Sequence, residues 1–149
     1  MTHHPSFGSV LQWDPAGGTA WSAVGQVKDA SGPSISRGTV DVSTQDSTSG
    51  YREFLPGLTD GGDLSFALGW DPTDADHQQG AGTGLLGDFI GDGCTMAAWK
   101  WTVNTCSGTY YWTFDGFLTG FSPSVPMEGE LTADVSVKVS GVPTFNIPA

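Results

Sequence analysis

The sequence predicts a mainly β, single-domain protein: an antiparallel β-sandwich or partly open barrel with one short α-helix. Three observations support this fold class. Apolar and polar residues alternate with a period of two in several segments, which is typical of half-buried strands. The length of 149 residues suits one domain, and 22 glycines and nine prolines favour many turns. Only one segment carries a helix-start signal.

The alternation places the strands. In chain order we expect them at residues 6–13, 21–28, 39–43, 64–70, 95–103, 109–114 and 131–139. The last is the clearest, because every second residue from Leu131 to Val139 is apolar. The apolar row that starts at Tyr110 loses its phase near Gly116, which predicts a β-bulge there. Residues 104–108 are expected to close a hairpin.

The helix signal is Asp71-Pro72, an N-cap residue followed by proline at the first helical position. Four glycines between residues 80 and 87 should end this helix near Gln79, since each costs about 1 kcal/mol in a helix interior. His77 is then expected to be a solvated helix residue.

The charge balance constrains the function. The sequence contains sixteen acidic and five basic residues, which gives a net charge of −11. Such a surface disfavours direct binding of nucleic acid but is suited to letting DNA slide past without sticking. The start lacks the pattern of a signal peptide, and no apolar run approaches the ~20 residues of a membrane helix. We therefore expect a cytoplasmic site of synthesis. Cys94 and Cys106 flank a predicted strand, so we expect two free thiols.

No catalytic, cofactor or metal site is predicted. Gly82 to Gly87 matches G-x-G-x-x-G, but a polar segment precedes it where a nucleotide fold needs a buried strand. The acids from Asp71 to Asp88 lack the spacing of a calcium loop. A G-x-S-x-G nucleophile motif is absent. Alternating aromatics such as Trp99 and Trp101 fit either core packing or a sugar-stacking platform, and both interpretations stay open.

The segment from residue 44 to residue 57 is too long for a tight hairpin, which needs about 2–5 loop residues. Its aromatic and aliphatic content indicates burial against another chain. The predicted assembly interface comprises Tyr51, Arg52, Glu53, Phe54, Leu55 and Pro56. Arg52 either pairs with Glu53 inside the loop or bridges to an acidic patch on an adjacent subunit; the sequence leaves both open.

Three sequence stretches support a resemblance: VDVSTQDSTSGYREFLPGL, DLSFALGWDP and WTFDGFLTGFSPSVPMEGELTADVSVKVSGVPT. In their order and spacing they resemble the major tail tube proteins of long-tailed, siphovirus-like bacteriophages, over residues 24–144. The resemblance implies one tail tube domain over residues 1–149, with terminal arms at 1–6 and 142–149 and an assembly loop at 44–57. The chain-end arms could equally pack within their own chain.

The resemblance also implies a function. Subunits would form hexameric rings that stack head-to-tail into a hollow tube, a conduit for DNA in the virion, assembled in the host bacterial cytoplasm and without enzymatic activity. The implied partners are the tape measure protein, the tail terminator and the tail-tip complex. Candidate lumen-facing residues are Asp63 and Asp134. Alternatives are another tube-fold component, such as a head-tail connector or a contractile inner tube, and a carbohydrate-binding β-sandwich module.

Overall fold

The computed structural model describes residues 3–4, 7–15, 20–77, 84–90, 96–105 and 108–147. These residues form nine strands and one α-helix. The elements are β1 (Val10–Asp14), β2 (Ser22–Ala23), β3 (Val27–Ser31), β4 (Ser36–Asp41), β5 (Phe54–Asp60), β6 (Asp63–Gly69), α1 (Leu85–Ile90), β7 (Ala97–Thr105), β8 (Gly108–Ser124) and β9 (Thr132–Asn146). Both cysteines and most of the predicted N-terminal arm lie outside the described residues.

Seven strands form one antiparallel sheet in the order β2-β1-β7-β8-β9-β6-β3, while β4 and β5 form a separate pair. The two edge strands of the large sheet, β2 and β3, are neighbours in sequence. The sheet therefore curls until its ends approach each other, giving a half-barrel. Val24 N–H donates to the Leu11 carbonyl at 2.9 Å, which continues the pairing of β2 with β1. The predicted mainly β fold with one short helix is confirmed, in its partly open barrel form.

The core lies on the concave side of the sheet, as the alternation predicted. Leu64, Phe66 and Leu68 of β6 are buried, as are alternate residues of β9 from Ala133 to Val139. Each buried Leu, Phe or Val side chain in these rows contributes roughly 1.5–3 kcal/mol on burial. The remaining core residues come mainly from the strands at the centre and far side of the sheet: Leu11, Trp13, Val24, Leu85, Ala97, Trp99, Phe114 and Leu118.

Strands β8 and β9 are longer than predicted and pair along most of their length. Their register shifts between Thr113 and Asp115 and between Leu118 and Gly120, so the bulge predicted at Gly116 itself is wrong. Gly116 has a different role: a Cβ at this position would lie 2.6 Å from the Lys138 carbonyl oxygen, so the two strands approach too closely for a side chain.

Strand β9 continues to Asn146, which corrects the predicted C-terminal arm. Residues 142–146 pair in part with β8 in the same chain. Phe145 lies 5.0 Å from Trp112 and 6.2 Å from Tyr110, between ring centroids. Packing within the chain therefore covers about half of the Phe145 side chain, which remains 46% exposed. The hairpin between β7 and β8 is confirmed, with Thr105 paired to Gly108.

The predicted helix after Asp71 is wrong in position. Residues 71–77 form successive turns, in which the Asp71 and Asp74 carboxylates accept hydrogen bonds from the Thr73 and Asp76 amides, each at 2.9 Å. These side chains compete with the helical backbone for its donors. The hydrogen bonds from Thr73 lower the pKa of Asp71. The single α-helix in the described part of the chain, α1, begins after Gly84 and includes Gly87. Its first residue, Leu85, is buried and anchors the helix to the core.

His77 is fully buried, contrary to the prediction of a solvated residue. One ring nitrogen, Nε2, lies 2.7 Å from the Val24 carbonyl oxygen, and Nδ1 accepts from the Asp71 amide at 3.2 Å. This pattern places the proton on Nε2. The imidazole thus ties the turns at 71–77 to the connection between β2 and β3, where the two ends of the sheet approach.

Candidate assembly surface

Strands β4 and β5 form a β-hairpin that stands apart from the half-barrel. We call residues 36–60 the arm. Its two strands pair only with each other, and nearly every side chain in them is exposed. Leu58 is 93% exposed and Tyr51 77% exposed. A two-stranded hairpin is at best marginally stable in water, so an arm with exposed apolar side chains is typical of a segment that is completed by another surface.

The arm differs from the predicted loop in its end point. Strand β5 begins at Phe54, so the connection spans residues 42–53 and Phe54, Leu55 and Pro56 belong to a strand. The connection is itself ordered by short-range hydrogen bonds. The Ser43 hydroxyl accepts from the Glu53 amide at 2.8 Å, and the Thr44 amide donates to the Ser47 hydroxyl at 3.0 Å. The hydrogen bonds from Ser43 lower the pKa of Asp41.

The predicted interface residues do not form one patch. Leu55 pairs with Val40, whereas its neighbour Phe54 pairs with Asp41. Since successive residues of a strand point to opposite faces, Phe54 and Leu55 lie on opposite faces of the arm. Arg52 lies 3.9 Å from Asp41, a contact between exposed groups of little energetic weight, so its partner inside the arm is not the predicted Glu53.

The root of the arm is tightly packed against the half-barrel. Gly62 has φ +73°, and a Cβ there would collide with the Ser34 carbonyl group. Its carbonyl accepts from the Val139 amide at 3.0 Å, which joins the root to β9. Two connections of the chain, at residues 32–35 and 61–62, thus cross in contact. Sequence analysis missed this root, although the Gly61-Gly62 pair was visible in the sequence as a turn signal.

A three-residue charge cluster lies at the same root. The Lys138 ammonium is 3.1 Å from the Asp60 carboxylate and 3.8 Å from Asp63. The Gly62 amide and Lys138 both lower the pKa of Asp60, and the hydrogen bond and charge of Asp60 raise the pKa of Lys138. Because Asp60 ends β5 and Lys138 belongs to β9, this cluster joins the end of the arm to the half-barrel.

Both predicted lumen-facing residues lie on the convex face of the sheet. In the β6–β9 pair, Asp63 lies beside Lys138 and Asp134 lies beside Ala67. These residues alternate with the buried residues of the same strands, so their side chains are on the other face of the sheet. Among the described residues Asp134 forms no ion pair, whereas the charge of Asp63 is partly compensated by Lys138. Hydroxyl groups dominate the surrounding convex face: Ser31, Ser65, Ser122, Ser124, Thr132, Ser136 and Ser140.

The aromatic residues that raised the possibility of sugar stacking face the core. Trp99 is fully buried, with its ring centroid 5.6 Å from that of Trp13 and 6.1 Å from that of Phe66. Trp101 and Trp112 are partly buried and pack against the same core. Core packing is therefore the interpretation that the structure supports for these residues.

Across the described ranges, no group of three or more His, Cys, Asp or Glu residues is arranged to hold a metal ion. The part of the chain that the structure describes also contains no helix long and apolar enough to cross a membrane. Of the glycine motif at residues 82–87, only residues 84–87 are described; Gly84 directly precedes α1, and residues 85–87 are the first three residues of that helix.

A curled antiparallel sheet with a polar convex face and a projecting hairpin arm defines the class of tube-forming tail subunits. The chain belongs to the lambda phage tail tube protein family, whose model matches residues 8–146. This match confirms the resemblance seen in the sequence. The protein is therefore a structural component of a tail tube. No curated protein sequence matches the chain.

Solved structures share this fold at low sequence identity. One is described as the tail of an empty gene transfer agent (GTA) particle with C6 symmetry: 17% identity, TM-score 0.67, covering 93% of this chain and 95% of that one. Another is the sheath-tube complex of an extracellular contractile injection system, PVC: 14% identity, TM-score 0.67, covering 95% and 90%. A third is the baseplate of the anti-feeding prophage (AFP): 9% identity, TM-score 0.73, covering 98% and 97%.

Proposed function

We propose that this tail tube protein forms hexameric rings that stack head-to-tail into a hollow tube through which DNA leaves the particle. Family membership carries the proposal. The fold shared with a tail of C6 symmetry supports six subunits per ring. A stacking contact that joins different surfaces on successive rings does not close on itself, so it gives a filament. The protein acts in this proposal as a wall, not as a catalyst.

The arm is the proposed assembly element, and it carries Tyr51, Arg52, Glu53, Phe54, Leu55 and Pro56. Its exposure supports this role, because contiguous exposed apolar side chains mark interaction sites. The root supports it too. A rigid base at Gly62 and Lys138 presents the hairpin in one direction, which lowers the entropy lost on docking.

An arm-less variant tests this role. Residues 37–59 are replaced by a short glycine-rich turn that joins the two connections at the root. The half-barrel should fold normally, because the arm buries almost none of its side chains, and the variant should remain monomeric while the wild type forms tubes. Electron microscopy and sedimentation give the result, with circular dichroism to verify the fold. Normal tubes from the arm-less chain would contradict the assignment.

We propose that the convex face around Asp134 lines the lumen. An uncompensated carboxylate among hydroxyl groups repels phosphates and keeps the wall hydrated, which suits a surface along which DNA must slide. Asp63 contributes less in this proposal, because Lys138 neutralises part of its charge.

Asp134→Arg tests the lining. Particles carrying this variant should have tubes of normal appearance and should eject DNA more slowly than the wild type. The ejection rate of Asp134→Asn should lie between those of Asp134→Arg and the wild type. The matched control is Glu128→Arg, which makes the same charge change in the connection between β8 and β9, outside the strands that carry Asp134 and the hydroxyl groups around it. Equal ejection rates for Asp134→Arg and the control would remove the support for a repulsive lining.

Its further partners, on the same proposal, are the tape measure protein in the lumen, a terminator at one end of the tube and the tail-tip complex at the other. Assembly takes place in the cytoplasm of the host bacterium, and the finished protein resides in the virion tail. Gene order tests this context: a long reading frame for a tape measure protein should follow downstream of the tube gene.

A second candidate is the inner tube of a contractile device. The fold shared with chains of the PVC sheath-tube complex and of the AFP baseplate supports it, with TM-scores of 0.67 and 0.73. The family match favours the non-contractile tail. A sheath gene beside the gene for this chain, and sheath density around purified tails, would decide for the contractile device.

A further inference from the structure

The two faces of the arm differ sharply in chemistry. One face is aliphatic: Val40 and Leu55 form a cross-strand pair, 53% and 55% exposed, and Val42 follows Val40 by two residues, just past the end of β4, where its amide donates to the Glu53 carbonyl at 2.9 Å. The other face carries Asp41, Phe54 and, through its contact with Asp41, Arg52. We call them the aliphatic face and the arginine face.

Arg37 also belongs to the arginine face. It pairs with Thr59, and its Nε donates to the Thr59 hydroxyl at 3.0 Å. The register with β5 shifts between Arg37 and Thr39, but Arg37 and Asp41 are four residues apart within β4, so the alternation of that strand places them on the same face. Arg37 and Arg52 are the only arginines in the sequence. Among the described residues Arg37 forms no ion pair, and Arg52 has one contact at 3.9 Å with its side chain 78% exposed. Both guanidinium groups therefore retain donors for a partner.

The rest of the chain is strongly acidic. Twelve of the sixteen acidic residues lie outside the arm, together with only three lysines. Of these lysines, Lys28 is paired with Glu130, Lys138 with Asp60 and Asp63, and Lys100 lies over the Tyr111 ring at 4.5 Å. Copies with a net charge of −11 repel one another. The arm also holds four acidic residues, Asp41, Asp46, Glu53 and Asp60, but its two arginines are cations that can offset part of this repulsion at a local contact.

We infer that the arm docks on a second copy of this chain with a division of roles between its faces. The aliphatic face is buried against that copy and supplies affinity through apolar area. The arginine face places Arg37 and Arg52 against carboxylates of the acidic body of a second copy, where they draw the copies together and set the register. This inference rests on the proposed function and adds to it the surfaces and the chemistry of contact.

The two roles have different salt dependence. Burial of apolar side chains changes little between low and moderate salt, whereas attraction between exposed charges is screened within about 10 Å at 0.1 M. Arginine is also the cation best suited to paired hydrogen bonds with carboxylates. Removing the arginines should therefore weaken assembly and flatten its salt dependence, while removing the aliphatic side chains should weaken assembly and leave the slope unchanged.

The experiment uses the full chain and three double variants: R37Q/R52Q, V40S/L55S and the charge-matched control K28Q/K100Q. The critical concentration for tube formation is measured by light scattering and electron microscopy from 20 to 500 mM salt. We expect R37Q/R52Q to raise the critical concentration roughly tenfold at low salt and to flatten its dependence on salt. V40S/L55S should raise the critical concentration but leave its dependence on salt as in the wild type. K28Q/K100Q should behave as the wild type.

Each outcome decides the inference. Wild-type behaviour of R37Q/R52Q, or an equal effect of K28Q/K100Q, would show that the arginine face has no specific role and overturn the inference. If the wild type forms no tubes, sedimentation equilibrium of the same variants replaces the assembly assay. If the chain self-associates and the salt dependence of this association requires the arginines, the docking surfaces are supported and the tube proposal is refuted. If the chain does not self-associate, both are overturned.

Discussion

Substitution of Gly62 by alanine tests whether the root of the arm is as tightly determined as its geometry indicates. Gly62 has φ +73°, where a residue with a Cβ loses about 1–2 kcal/mol. The added Cβ would also lie 2.6 Å from the Ser34 carbonyl carbon and 3.1 Å from its Cα, so the backbone must shift at a further cost of roughly 1–3 kcal/mol. Loss of unfolded-state entropy returns about 0.4–1 kcal/mol. We expect a net loss of roughly 2–4 kcal/mol in the free energy of unfolding.

The measurement is urea unfolding of the monomer followed by tryptophan fluorescence, together with the critical concentration for tube formation. Gly50→Ala is the matched control, because Gly50 has φ +71° and a Cβ added there would meet no heavy atom within 4 Å. The control should lose about 1 kcal/mol or less, since strain alone remains. Gly62→Ala should also impair assembly, because the shift displaces the arm. Equal stability losses for the two variants would refute the argument that contact with Ser34 fixes the root.

Three further predictions concern the half-barrel and its contact with the arm. His77→Ala should lower the free energy of unfolding by about 3 kcal/mol, since it opens a cavity and leaves the Val24 carbonyl buried without its donor; thermal melts would check this. Trp99→Phe should cost about 1.5 kcal/mol or less, against about 3–5 for Trp99→Ala, because the buried Nε1 of Trp99 has no hydrogen-bond partner among the described residues; urea titrations of both variants separate these values. The pKa of Asp60 is lowered on folding, so its contribution to stability is present above the unfolded pKa near 3.8 and is lost as the pH falls through the folded pKa. The pKa of Lys138 is raised, so its contribution is present below the unfolded pKa of 10.5 and is lost as the pH rises through the folded pKa. Asp60→Asn should therefore be less stable than the wild type at pH 7, and the difference should disappear as the pH falls through the folded pKa of Asp60, as measured in melts across the pH range.

The sequence allowed prediction of those parts of the fold in which one strand face is buried. Alternation at residues 64–70 and 131–139 marked β6 and β9 because their apolar rows face the core. The helix was misplaced because propensity and tertiary packing disagree. Asp71 and Pro72 carry the signs of a helix start, yet the carboxylate closes a turn, while Leu85 holds a glycine-containing helix in place by burial. His77 was misjudged for the same reason, since its burial depends on a contact with Val24, 53 residues away in sequence.

The arm was the part of the chain for which period-two analysis had least to offer, and the reason bears on function. A strand is recognised by alternation only when one face meets the core of its own chain. Val40 and Leu55 form one exposed face and Asp41 and Phe54 the other, with Gly38 opposite a register shift, so the hairpin carries no single buried row. The residues Tyr51 to Pro56 were nevertheless recognised as unusual, because apolar side chains in an exposed segment have no explanation in the monomer. Exposed apolar side chains on both faces of a hairpin are expected when both faces contact other copies of the chain. The same argument explains why sequence analysis placed the interface residues together although the structure separates them: adjacency in sequence is adjacency on one surface in a loop, but on opposite surfaces in a strand.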